Sequence, residues 1–278
     1  MIEPVVDLRR ARALGERVVY ADVRWYLDGR SGRAAYDRGH LPGAVFVDLD
    51  RVLARHGLPT DGRHPLPEPA EFAAGLAALG VGDEDVVVAY DDAGGTIAAR
   101  LVWMLRVTGH DAALLDGGLG AYDGELSTDD PDRPAAVLTP RPWPADRLAS
   151  LDDASDPAAV VVDARDAARF RGDAEPVDPR AGHIPGARNL PCRDNVDTDG
   201  RFLPVAVLRE RFAALGADGD MISYCGSGVT ACHNLIALEH AGLGSGRLYP
   251  GSWSAYSNTD RPAATGSESA AKRKESPA

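Results

Sequence analysis

Lysine is nearly absent from this chain of 278 residues, and its scarcity excludes one kind of covalent chemistry. The two lysines, Lys272 and Lys274, lie close to the C-terminus, so arginine is the only strong cation in the rest of the sequence. An enzyme that forms a Schiff base needs a lysine amine in its folded body. Schiff-base chemistry is therefore excluded for the body of this protein.

Cysteines and long apolar runs are also scarce. The three cysteines are an odd number, which does not make a disulfide framework. No stretch approaches the roughly 20 apolar residues of a membrane span, and the first residues lack the pattern of a secretory signal. The net charge of -12 argues against nucleic acid and against an anionic membrane as partners. We expect a cytoplasmic protein in a reducing compartment, where a free thiol persists.

One thiol has a sequence context that favours its ionised form. Residues 221–223 have the pattern of a buried strand end, and residues 232–240 have the apolar spacing of a helix. Cys225 lies in the turn between them, where Gly226 and Gly228 allow several backbone N–H groups to point at one spot. The helix start adds further unpaired N–H donors. We therefore predict that Cys225 is a thiolate nucleophile.

The sequence contains one pattern twice. Gly-His-Leu-Pro-Gly-Ala at 39–44 recurs as Gly-His-Ile-Pro-Gly-Ala at 182–187. The ordered matches, at offsets of 134 to 143 residues, are Asp22 with Asp163, His40 with His183, Tyr90 with Tyr224 and Tyr122 with Tyr256. Each copy alternates strand and helix patterns, which predicts an α/β fold with two domains, each a parallel sheet flanked by helices.

The repeat also predicts the domain limits. We expect an N-terminal domain over 1–130, a proline- and aspartate-rich linker over 131–147, a C-terminal domain over 148–264 and a disordered tail over 265–278. In the first domain the pattern predicts strands at 18–24, 45–50, 86–90 and 113–115, and helices at 69–79 and 96–107.

The two copies differ at the position of the thiol. Asp91 in the first copy stands where the second has Cys225, and a carboxylate cannot replace a thiolate in attack on sulfur. We predict that the second copy carries the chemistry and that the first contributes side chains to a cleft between them. The groups that occur in both copies, His40 and His183 in the turns and the Asp-x-Arg pairs at the strand ends, are interpreted as structural.

These motifs resemble those of the tandem rhodanese sulfurtransferases. The resemblance covers residues 18–261 and rests on the paired Gly-His-Leu/Ile-Pro-Gly-Ala motifs, the Asp-x-Arg strand ends and the single Cys loop. The loop at 225–230 is similar to that of the family's 3-mercaptopyruvate branch. The thiosulfate branch typically has cationic side chains after the cysteine, whereas this chain has Gly226 and Ser227.

The resemblance implies the remaining site residues. Ser227, His64 and Asp50 match a serine–histidine–aspartate relay, with the histidine supplied by the first domain. Arg169 and Arg180 match the arginines that hold the substrate carboxylate and ketone, although the segment 173–178 between them is longer than expected. The predicted catalytic residues are Cys225, Ser227, His64 and Asp50, and the predicted substrate-binding residues are Arg169, Arg180, Gly226, Gly228, Val229 and Thr230.

The implied reaction moves sulfur in two steps. Sulfur passes from 3-mercaptopyruvate to Cys225 as a persulfide with release of pyruvate, and then to a thiol acceptor, such as a thioredoxin-like protein, or to cyanide. No organic cofactor is expected. No metal is expected either, because Cys232-His233 near Cys225 lacks the paired-ligand spacing of zinc sites.

Three alternative functions stay open. A phosphatase or arsenate reductase also sets a thiolate in an anion-binding loop, but its Cys-x5-Arg pattern requires arginine where this chain has Ala231. Thiosulfate is an alternative sulfur donor, in a thiosulfate:cyanide sulfurtransferase. A non-catalytic sulfur carrier would take up a persulfide on Cys225 but turn over poorly.

Overall fold

The computed structural model describes residues 1–217 and 219–267, which form two α/β halves. The first half has a five-stranded parallel sheet in the order β1-β5-β4-β2-β3. Its strands are β1 (Val5–Val6), β2 (Val18–Asp22), β3 (Val45–Phe46), β4 (Val86–Tyr90) and β5 (Ala112–Leu115). Its helices are α1 (Leu8–Ala13), α2 (Gly32–Arg38), α3 (Pro69–Ala78) and α4 (Ala99–Val107).

The second half has a four-stranded parallel sheet in the order β7-β6-β8-β9. Its strands are β6 (Val161–Asp163), β7 (Arg188–Asn189), β8 (Ile222–Tyr224) and β9 (Arg247–Leu248). Its helices are α5 (Leu151–Ala154), α6 (Ala167–Arg171), α7 (Val205–Ala214), α8 (Ala231–His240) and α9 (Ser252–Tyr256). The predicted fold class, two parallel sheets flanked by helices, is confirmed.

The predicted strand over 45–50 is shorter than its apolar pattern suggests. Pairing with β2 ends at Phe46, because the Asp48 side chain accepts hydrogen bonds from the N–H groups of Asp50 and Arg51. These bonds cap a π-helical turn over Leu49–Leu53, which follows the strand. Strand β1 was not predicted from the sequence. It has two residues, and a segment this short shows no hydrophobic periodicity.

The repeated polar groups hold the strand ends in both halves. Arg24 pairs with Asp22 at 2.6 Å and donates to the Gly39 carbonyl, and Arg165 pairs with Asp163 at 2.7 Å. The structural interpretation of these ion pairs is confirmed. His40 Nδ1 lies 2.9 Å from the Tyr36 carbonyl, so this histidine ties its turn to α2.

The predicted linker follows the surface of the first half. Ala136 N–H donates to the Ala77 carbonyl, Thr139 Oγ1 donates to Asp83 and Trp143 Nε1 donates to the Pro67 carbonyl. The linker and domain limits stay predictions. Of the predicted tail, residues 268–278 lie outside the described residues, whereas the Gly266 N–H donates to the Arg171 carbonyl at 2.8 Å.

The two halves meet through equivalent helices. Helix α4 packs against α8, and one apolar cluster includes Leu101 of α4 and Ile236 of α8. Arg106 Nε also donates to Glu239 across this contact at 3.1 Å. Within the described residues, no helix is long and apolar enough to span a membrane.

The buried Asp22–Arg24 pair generates a stability prediction. Arg24→Ala leaves the Asp22 carboxylate unpaired and fully buried, so the free energy of unfolding should fall by about 3–5 kcal/mol. Urea-induced unfolding, followed by circular dichroism, measures the change. The control is Arg10→Ala, whose ion pair with Glu3 is exposed and contributes about 1 kcal/mol or less. Equal losses in the two variants would contradict the structural role.

Candidate active site

Cys225 is the first residue after β8, in the turn that leads to α8. The residue is 2% exposed, and its Sγ accepts a hydrogen bond from the Gly228 N–H at 3.1 Å. Among the described residues, Gly228 is the one whose backbone N–H donates a hydrogen bond to this sulfur, although the sequence predicts several such donors. Gly228 has φ +79°, and a Cβ there would lie 2.5 Å from the Pro250 carbonyl oxygen. Glycine is therefore required at the position that donates to sulfur.

A cleft of about 970 Å³ opens beside this loop, between the two halves. The second half contributes Cys225 and its neighbours Gly226, Ser227, Val229 and Thr230 to the lining. Residues of the first half, including Trp25, Arg63 and Thr96, form the opposite wall. The predicted cleft between the copies is present.

The structure brings the predicted serine, histidine and aspartate together. Ser227 Oγ lies 2.8 Å from His64 Nδ1, and His64 Nε2 lies 3.3 Å from Asp50 Oδ1. Trp25 Nε1 donates to the other Asp50 oxygen at 3.0 Å and orients the carboxylate. Because the Asp50 carboxylate can only accept, we assign the proton to Nε2, which leaves Nδ1 to accept from the serine hydroxyl.

His64 is held in its neutral form. Burial lowers the pKa of His64 to about 4, and the positive charges of Arg100 and Arg63 act in the same direction. The Asp50 carboxylate opposes this shift. A neutral imidazole with a free Nδ1 can take the serine proton near pH 7.

Arg100, which the sequence analysis missed, connects the two halves of the site. It is fully buried and donates to the carbonyls of Gly228 at 2.9 Å, His64 at 3.0 Å and Leu53 at 3.3 Å. These bonds tie the cysteine loop to the segment that carries the histidine. The available signal was a pair of arginines, Arg100 and Arg106, within the apolar pattern of α4.

The two predicted arginines have different environments. Arg169 lines the cleft and pairs with Glu175 at 2.6 Å and with Asp178 at 3.1 Å. Arg180 is not among the residues that line this cleft. Its guanidinium group donates instead to the carbonyls of Tyr256, Ser257 and Arg261. The structure therefore does not bring Arg180 to Cys225, contrary to the assignment from the resemblance.

The equivalent turn of the first half is filled by its own carboxylate. Asp91 Oδ1 accepts from the N–H groups of Ala93 and Gly95, and Oδ2 accepts from those of Ile97 and Ala98, all at 2.7–2.9 Å. Burial raises the pKa of Asp91, and these four hydrogen bonds oppose the shift. They also delay the start of α4, which the sequence predicts at residue 96, to Ala99.

Burial holds the other two thiols in their protonated form. Burial raises the pKa of Cys192 and of Cys232 to about 12, so both stay protonated near neutral pH. Within the described residues, no group of three or more His, Cys, Asp or Glu side chains is arranged to hold a metal ion.

The duplicated α/β unit carries a thiol at a strand-to-helix turn, beside a Ser–His–Asp chain shared between the halves, and this arrangement defines a protein with a nucleophilic thiol site between two related domains. A family model described as "Rhodanese-like domain" matches residues 9–125 and 145–259. The chain belongs to the rhodanese family.

Individual relatives agree with this assignment. The chain is 44% identical to "Probable 3-mercaptopyruvate sulfurtransferase" of Pseudomonas aeruginosa, over 92% of this chain and 95% of that protein. It is 40% identical to "Putative thiosulfate sulfurtransferase SseB" of Mycobacterium tuberculosis, over 88% of this chain and 89% of that protein. The solved structure of 3-mercaptopyruvate sulfurtransferase from Leishmania major superposes with a TM-score of 0.83 at 34% identity, over 94% of this chain and 75% of that chain.

The low pKa of His64 generates a pH prediction. Between pH 7 and 5 the unfolded chain protonates this histidine and the folded chain does not, so stability falls as the pH falls. With a folded pKa of about 4 and an ordinary value of 6.5, His64 accounts for about 2 kcal/mol of that loss. His64→Gln should therefore lose less stability than the wild type over this interval.

Urea-induced unfolding at pH 7 and pH 5 measures the difference. The control is His56→Gln, because His56 is exposed, and this variant should keep the wild-type pH dependence. If His64→Gln and His56→Gln show the same dependence on pH, His64 is not buried in its neutral form.

Proposed function

We propose that this protein is a 3-mercaptopyruvate sulfurtransferase that carries sulfur as a persulfide on Cys225. The observation that carries the proposal is the position of Cys225 Sγ, which accepts from the Gly228 N–H beside a cleft containing Ser227 hydrogen-bonded to His64. The relatives named above support the same activity.

In the first half-step the Cys225 thiolate attacks the thiol sulfur of 3-mercaptopyruvate. A bond forms between the two sulfur atoms, and the carbon–sulfur bond breaks. Its electron pair stays on carbon, so the organic fragment leaves as the enolate of pyruvate. Protonation of the enolate carbon gives pyruvate, and the outer sulfur remains on the enzyme as a persulfide. The Gly228 N–H stabilises the negative charge on sulfur before and after transfer.

The Ser227–His64–Asp50 chain supplies the proton steps. The serine hydroxyl takes the proton of the substrate thiol while it gives its own to Nδ1 of neutral His64. The Asp50 carboxylate stabilises the resulting imidazolium through Nε2. The reverse movement returns a proton to the enolate carbon.

In the second half-step an acceptor thiolate attacks the outer sulfur and releases the Cys225 thiolate. Cyanide performs the same attack and leaves as thiocyanate. We propose a thioredoxin-like thiol as the acceptor, and the cytoplasm as the site of reaction, because a reducing compartment keeps such thiols available.

Thiosulfate is the second candidate donor, and the thiosulfate sulfurtransferase named above is the observation that favours it. Against it, Gly226 and Ser227, the two loop residues that follow Cys225 in sequence, are uncharged. Steady-state assays of pyruvate release from 3-mercaptopyruvate and of sulfite release from thiosulfate, with cyanide as common acceptor, separate the two. A higher kcat/KM for thiosulfate would replace the proposed donor.

Cys225→Ser should abolish pyruvate release, because a hydroxyl cannot hold the sulfane sulfur. In the wild type treated with 3-mercaptopyruvate without acceptor, intact-protein mass spectrometry should detect the addition of one sulfur atom. Cys192→Ser is the matched control, since Cys192 is a buried thiol on the same cleft, and it should keep both signals. Pyruvate release by Cys225→Ser would remove Cys225 from its role.

Ser227→Ala should lower kcat/KM for 3-mercaptopyruvate by about 10²–10⁴-fold, because His64 loses its contact with the substrate proton. The addition of sulfur to Cys225 in a single turnover should slow by the same factor. Ser257→Ala is the control, because it removes another buried serine hydroxyl of the second half, which donates to the Ser254 carbonyl and not to a residue of the relay. A normal single-turnover rate in Ser227→Ala would show that the relay is not used.

A further inference from the structure

Four charged side chains surround one point above the cysteine loop. Arg169 Nη2 lies 2.6 Å from Glu175 and 3.1 Å from Asp178, and Arg63 Nη1 contacts the other oxygen of Asp178. The Asp178 side chain is 3% exposed. One carboxylate is thus held between two guanidinium groups that come from different halves of the protein.

This point is adjacent to the nucleophile. A Cβ built on Gly226 would lie 2.9 Å from Arg63 Nη2 and 3.4 Å from Arg169 Nη1. Gly226 directly follows Cys225, and both arginines line the same cleft as the thiol. The absence of a side chain at residue 226 leaves room for the two guanidinium groups over the loop.

The other arginines near the site have different contacts. Arg165 is buried in its pair with Asp163, and Arg180 donates to three backbone carbonyls outside the cleft. Arg193 lines the cleft, is exposed and makes no ion pair with any described residue. Arg63 and Arg169 are the pair that already binds a carboxylate.

The two acidic residues of this segment have different contacts. Glu175 accepts from the N–H groups of Val177 and Asp178 and also pairs with Arg165, so it holds the segment in its conformation. The Asp178 carboxylate, in contrast, contacts the two guanidinium groups and no other hydrogen-bond donor of the described residues. Only Asp178 can be exchanged for another carboxylate without loss of backbone hydrogen bonds.

We propose that Arg63 and Arg169 form the site for the substrate carboxylate, and that Asp178 occupies it as an internal competitor which the substrate displaces. The inference rests on the proposed function, because 3-mercaptopyruvate carries one carboxylate beside its ketone. Arg63 thus takes the role that the family resemblance gives to Arg180. The bidentate geometry of guanidinium suits either carboxylate.

The test measures binding without sulfur transfer, in the full chain with Cys225→Ser, by calorimetric titration with 3-mercaptopyruvate. Asp178→Asn in this background should lower Kd by about threefold to tenfold. The Asp178 carboxylate no longer occupies the arginine site in part of the molecules, so a larger fraction of the protein can bind the substrate. Arg63→Ala should raise Kd by about 30-fold or more, and Arg63→Lys should recover part of the loss.

The matched control for Asp178→Asn is Asp173→Asn, which removes the same charge from the same segment. Asp173 is exposed and pairs with Arg171 alone, so Kd should not change. With Cys225 intact, Asp178→Asn should lower KM for 3-mercaptopyruvate and leave kcat unchanged. Removal of a carboxylate with only a structural role would not lower KM in this way. Thermal unfolding verifies that each variant is folded.

Three results would overturn the inference. They are an unchanged or raised Kd in Asp178→Asn, an unchanged Kd in Arg63→Ala, or a loss of affinity in Arg193→Ala that exceeds the loss in Arg63→Ala. A wild-type enzyme that releases no pyruvate from 3-mercaptopyruvate would instead refute the proposed function. Pyruvate release together with any of the three results would refute the inference and leave the proposed function intact.

Discussion

The buried guanidinium group of Arg100 is the contact on which the geometry of the site depends. It extends from α4 of the first half and donates to the Gly228 carbonyl in the second half and to the His64 carbonyl in the first. A charged group removed from water remains favourable only while its hydrogen bonds are made. One side chain therefore fixes the cysteine loop and the histidine segment relative to each other, and the short distance between Ser227 and His64 follows from it.

The two halves fill the same turn with different anionic groups. In the first half the Asp91 carboxylate accepts four backbone N–H groups and closes the turn. In the second half Cys225 accepts one, from Gly228, and its turn borders the cleft. The first turn thus satisfies its own donors and needs no ligand, whereas the second keeps a polarisable atom where a small molecule can reach it.

The sequence predicted the duplicated fold and the cysteine turn because both are local or periodic patterns. It did not predict from spacing that His64 meets Ser227, since 163 residues separate them, and only the family resemblance suggested the pair. Arg180 was placed in the site by the same resemblance, but its hydrogen-bond partners at 256–261 lie beside it only in the folded chain. Arg63 and Arg100 have no motif at all, because their roles depend on the contact between the halves.

The packing of α4 against α8 has a further consequence for the origin of the architecture. These helices are equivalent in the two copies, so the contact is of the self-complementary kind that two-fold dimers use. Within residues 1–217 and 219–267, neither sheet includes a strand from the other half. The polypeptide thus places its two copies in the kind of contact that a two-fold dimer has, with an aspartate in the turn of one copy and a cysteine in the turn of the other. Because the two subunits of a homodimer share one sequence, it is the joining of both copies in a single chain that allows the two equivalent turns to carry different residues.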